Sequence, residues 1–237
     1  MFGETRRQTA LFWTLAGLAA ACTLASLYWA FFQAGVEVQL GYGQKIFYWH
    51  VPSAIAMETL FFVCAGASLV YLVRGSAVAD RLALAAAEVG VMMSMFVLIS
   101  GPLWARTFWG HYWEWEPRLT LSMVVFFMYV GYLALRAYGG DDSLSKRISA
   151  GLGVAGAPAV FLARQAVALW RGTHPQVVWK GGLQDPDMKI AFWLGVSGFA
   201  FLAAALVWQR YRLERARNEV ESLTLECLER DLIEEES

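Results

Sequence analysis

Apolar positions fall in long runs separated by short polar stretches. Six runs stand out: Ala10 to Phe32, Val51 to Val73, Leu82 to Leu103, Leu119 to Ala137, Ile148 to Trp170 and Ile190 to Trp208. Each reaches the ~20 residues that a membrane-spanning helix needs. Backbone groups in lipid must be paired within the segment, so each run predicts a helix rather than a strand. No internal repeat or low-complexity linker divides them. The expected fold is an all-α integral membrane protein, a six-transmembrane helix bundle with a periplasmic tryptophan-rich segment between helices 3 and 4. Residues 1–209 form the membrane domain and residues 210–237 a cytoplasmic charged helical tail.

Composition agrees with this class. Hydrophobic residues make up 58% of the chain and charged ones 16%, with mean hydropathy +0.44, which leaves too little polar surface for a soluble domain. A net charge of −1 gives no reason to expect nucleic acid. Cys22, Cys64 and Cys227 form neither CxxC nor CxxCH, which argues against thiol redox chemistry and covalent haem attachment. Arg6 and Arg7 precede an apolar run too long for a signal-peptide core, so a retained anchor is expected.

Charge bias orients the bundle. Arg6, Arg7, Arg74, Arg81, Arg136, Lys146, Arg147 and the four arginines between 210 and 217 lie on one side. Lys45, Arg106, Arg118, Arg171, Lys180 and Lys189 lie on the other. Eleven against six makes the first side cytoplasmic, with both termini inside. Three outer connections then share one face: the one ending at His50, the tryptophan-rich segment, and the one carrying His174.

That segment, WGHYWEWEPRLT from Trp109 to Thr120, packs three tryptophans, three charges and a histidine into twelve residues. Interfacial preference accounts for one or two rings. An aromatic shelf edged by charge suits a flat, largely apolar ligand with ionised groups, and haem is the expected one. In a helix, Trp109, Trp113 and Glu116 would share a face, with Trp115 turned elsewhere, toward the bundle. His50 and His174 stand close to Pro52 and Pro175, which stiffen the local chain. Two neutral imidazoles are a common axial pair for haem iron, and they would release it as pH falls through the histidine range. Arg118 and Arg106 are the candidate partners for the propionates, with local pairing of Arg118 to Glu114 or Glu116 as the rival. His111 is expected to face water rather than serve as a third ligand.

Glu58, Glu88 and Arg164 lie inside predicted helices, where a charge is costly unless paired. Glu58 and Arg164 fall at similar depth and are expected to pair; a proton path is the rival. Glu88 has no evident partner. Beyond basic Arg210–Arg217, suited to anionic headgroups, the acidic tail reads as a solvated extension rather than a partner-binding helix.

WGHYWEWEPRLT resembles the WWD motif of the haem-handling proteins of cytochrome c maturation. With IFYWHVPSA, the late THP histidine and six helices, the chain resembles the CcmC haem exporter or haem-delivery family. The likeness covers the chain to about Arg217; CcmF and CcsA relatives share the shelf but are usually longer. The resemblance implies non-covalent b-type haem on the outer face, at Trp109, Gly110, Trp113, Trp115, Glu116 and Arg118, with His50 and His174 as axial ligands. It also implies delivery to a CcmE-like chaperone, with release driven by a CcmA–CcmB ABC transporter and small CcmD in the complex. It is a delivery role, not an enzymatic one. Glu116 replaces the family's usual aspartate, and His111 and the acidic tail lie outside the pattern. Two other classes compete: a b-type electron-transfer cytochrome, which would place histidines within facing helices, and an ion or solute transporter using Glu58, Glu88 and Arg164.

Overall fold

The computed structural model describes residues 2–37, 41–139, 142–172, 174–175 and 183–229. Among these, α1 (Phe2–Tyr28) ends in a π turn at Trp29–Gln33. It is followed by α2 (Gln44–Arg74), α3 (Ala77–Trp109), α4 (Pro117–Tyr138), α5 (Ser143–Trp170) and α6 (Pro186–Glu229). All six are long and apolar enough to cross a membrane, and the described residues hold no strand. The protein is an all-α, multi-pass membrane bundle.

The helices extend beyond their apolar runs, and one extension changes the reading of a key residue. The sequence places His50 at the end of a loop, yet α2 begins at Gln44 and carries His50 in its second turn. Polar and aromatic residues there prolong the helix because nothing between Gly43 and His50 breaks it. Pro52, inside α2, has no N–H for the carbonyl of Tyr48. That carbonyl faces Gly195 of α6, where a Cβ would come within 2.7 Å, so α6 can approach closely. Likewise α3 continues to Trp109 and stops at Gly110, whose φ of +81° is a left-handed conformation that glycine adopts without strain.

The helices pair α2 with α3, α1 with α6, and α4 with α5, and α2 also packs on α5. Small residues on α3, including Ala83, Ala86, Ala87 and Gly90, let the neighbouring helix come near. Phe61 of α2 fills that space and stacks on Tyr129 of α4, with ring centroids 3.8 Å apart and planes 6° off parallel. Up-and-down order puts the start of α2, the end of α3, the start of α4 and the α5–α6 connection at one end of the bundle.

The opposite end is tied by charge. Arg136 of α4 donates to both carboxylate oxygens of Asp80 on α3, at 2.7 and 2.9 Å. Glu88, without a partner in the sequence reading, accepts two hydrogen bonds from Arg210 of α6. The sequence missed this pair because helical α6 carries Arg210 back over α3. The helix also runs unbroken past Arg210 to Glu229.

Candidate functional site

The end of the bundle where His50 and His174 meet is built from several small local choices. Ser100, Gly101 and Pro102 interrupt the bulk of α3 next to the second turn of α2. A Cβ on Gly101 would lie 3.2 Å from His50 Cε1, so glycine makes room for the imidazole. Ser100 Oγ donates to the Phe96 carbonyl at 2.7 Å, leaving its lone pair to accept from His50 Nδ1 at 2.9 Å. A hydroxyl engaged in this way favours the tautomer with the proton on Nδ1 and the lone pair on Nε2. His50 is only 7% exposed.

His174 reaches the same place from the α5–α6 connection. Its ring and that of His50 both neighbour Trp104 of α3, with centroid distances of 6.4 and 5.6 Å. His174 Nδ1 lies 3.2 Å from Glu116 Oε1. Burial pushes the His174 imidazole below its ordinary range; the Glu116 carboxylate opposes this and the Arg118 charge adds to it. The ring is thereby kept neutral and able to donate a lone pair.

Two pockets flank the histidines. The smaller lies among α2, α3 and α4 and is lined by Trp104, Trp109, Trp113 and Arg118 as well as both histidines. The larger lies against α2 and α5, shares Glu58 with the first and adds Arg164 and Gln165. Among the described residues, the buried indole nitrogens Trp104 Nε1 and Trp113 Nε1 have no hydrogen-bond partner. Both belong to rings that line the smaller pocket, where they add donor capacity to an apolar wall.

The shelf departs from a helical reading. Residues 110–116 are not helical, because Gly110 ends α3 and Pro117 opens α4. Trp109 and Trp113 still reach one pocket, now from a helix end and a loop. Trp115 does not turn into the bundle but is 71% exposed, and Gly110 acts as the turn that lets the segment fold back. His111 is exposed as expected, stacked on Trp109 and 3.5 Å from Glu114. Arg106 is drawn away from the pocket: it donates to the Gly110 carbonyl and lies over the Tyr112 ring. Arg118 remains in the pocket, bonded to the Arg164 carbonyl at 3.2 Å, with Glu58, Arg164 and Glu116 as charged neighbours.

Glu58 and Arg164 form the expected ion pair, at 2.8 Å. Arg164 is partly open to the surroundings, so neutralising either residue should cost between the ~1 kcal/mol of an exposed pair and the ~3 kcal/mol of a buried one. Exchanging the two charges should restore most of the loss in a thermal unfolding assay. Equal damage from both single variants and the exchange would refute the pairing role.

Sequence reasoning missed Ser100, Gly101 and Trp104. The available signal was SGP inside an apolar run, small residues that make sense only where another side chain enters.

The geometry defines a multi-pass membrane protein with two imidazoles, an aromatic wall and a retained cation converging at one end of its bundle. Residues 4–226 match the family model CcmC, heme exporter protein C, and the chain belongs to that family. The match extends past Arg217 into the acidic part of α6. Similar proteins include the heme exporter protein C of Paracoccus denitrificans (strain Pd 1222), 34% identical over 89% of this chain and 88% of the relative. That of Bradyrhizobium diazoefficiens is 34% identical over 85% and 77%, and that of Escherichia coli (strain K12) 30% over 83% and 82%.

Proposed function

We propose that this protein binds non-covalent b-type haem as cargo at the outer face of the bacterial cytoplasmic membrane and presents it to a CcmE-like chaperone for cytochrome c maturation. The relatives' name, heme exporter protein C, supports haem handling. The observation that carries the reading is the convergence of His50 and His174 on Trp104, with His50 Nδ1 2.9 Å from Ser100 Oγ and His174 Nδ1 3.2 Å from Glu116 Oε1. Trp109 and Trp113 supply apolar wall, and Arg118, with Arg164 beside it, supplies the cation for the propionates. Gly110 shapes the segment, and exposed Trp115 offers a ring to lipid or to the chaperone. A CcmA–CcmB ABC transporter and CcmD are the further partners, with both termini cytoplasmic. Glu58 and Glu88 each have an arginine partner, which favours structural pairing over a transport path.

The test is the absorption spectrum of the purified protein with haem, which should be that of a low-spin, bis-imidazole complex. A high-spin spectrum, or no binding, would defeat the proposal. Acid should disrupt ligation below the ordinary imidazole value of about 6.5, because burial lowers His174. As pH falls through that depressed value the ring protonates and the iron bond is lost. A spectral titration with a midpoint at or above the ordinary value would contradict this.

A further inference from the structure

Glu116 sits at the N-cap position of α4 with Pro117 behind it and extended backbone, φ −77° and ψ 156°. A short polar side chain there ordinarily accepts from the first free N–H groups of its own helix. Glu116 makes no such cap bond. Its carboxyl group is instead buried, with the residue 7% exposed, and directed across the chain to His174 Nδ1 at 3.2 Å. The counterpart behind His50 is a neutral hydroxyl that donates its hydrogen bond to the Phe96 carbonyl.

The two imidazoles are therefore backed unequally. A carboxylate facing the distal N–H of a ligating histidine fixes the ring's tautomer and orientation and raises its basicity toward the metal. A serine oxygen fixes orientation with far less charge. We infer that Glu116 is a positioning residue for His174, aiming Nε2 into the pocket and making His174 the stronger donor of the pair. The inference rests on the proposed bis-histidine haem site and deepens it.

The full-length protein in detergent, with Glu116→Gln, Glu116→Asp and Ser100→Ala variants, provides the test. A stronger anionic donor favours ferric iron, so Glu116→Gln should raise the haem midpoint potential in a mediated redox titration. It should also weaken haem retention against an apo-globin acceptor by about 10–100-fold. Glu116→Asp, which keeps the charge, should stay nearer the parent in potential, and Ser100→Ala should shift it less than Glu116→Gln. Histidine 15N NMR of the haem-free protein adds a readout independent of haem: His174 should carry its proton on Nδ1, and Glu116→Gln should move that resonance. An unchanged potential in Glu116→Gln, equal shifts in the Gln and Asp variants, or the Nε2–H tautomer in the haem-free parent would overturn the inference. A parent that binds no low-spin haem would instead remove the underlying site. If Glu116→Gln fails to fold, the Asp variant and the parent's tautomer still decide the matter.

Discussion

Alanine at either His50 or His174 should abolish the low-spin haem spectrum while leaving the bundle folded. Both rings lie at one end of the structure, and neither joins helices through an ion pair at the other end. Losing a ligand should weaken haem binding by at least the 10–100-fold typical of losing an outer-shell partner. Added free imidazole should restore part of the low-spin signal, more readily at position 174, which lies on a connection, than at position 50, buried within α2. Low-spin haem in both single variants would exclude these residues as the axial pair. Retention in one alone would call for another ligand, with exposed His111, stacked on Trp109, the first to mutate.

The second large effect is expected at the opposite end and should leave haem untouched. Asp80 and Arg136 form a two-pronged pair whose side chains are 10% and 7% exposed. Breaking such a buried pair by removing one partner costs about 3–5 kcal/mol, because the remaining charge is stranded in a low-dielectric interior. Asp80→Asn and Arg136→Met should each lower thermal stability sharply. A double change to apolar side chains of similar volume should recover most of the loss, since it removes both desolvation penalties. Losses below about 1 kcal/mol, the range of a solvent-exposed pair, would show that the contact is not a structural tie. Because the pair is remote from the histidines, the double variant should keep its haem spectrum.

Much of this protein was legible in one dimension. Six apolar runs of spanning length leave helices as the option that satisfies the backbone in lipid, and alternate connections must then share a face. That reasoning placed His50, His174 and the tryptophan-rich segment at one end, where the structure has them. It also matched Glu58 with Arg164 by depth alone. Local chemistry was harder to read. Glycine and proline at 110 and 117 mark the break in the shelf, but the side-chain directions that follow depend on how the loop folds back. Trp115 turned outward and Arg106 was captured by the carbonyl of Gly110.

What chain order could not supply was the company each histidine keeps. Ser100, Gly101 and Trp104 are unremarkable in an apolar run until α3 lies against the second turn of α2. Glu116 looks like a charge on an aromatic shelf until the α5–α6 connection brings His174 beside it. Arg210 reads as a basic flank until α6 carries it back to Glu88. Hydrophobic run length is a local property and decides how many helices form. Which polar groups meet is decided by the rotation and close approach of helices far apart in the chain, and that depends on packing as a whole.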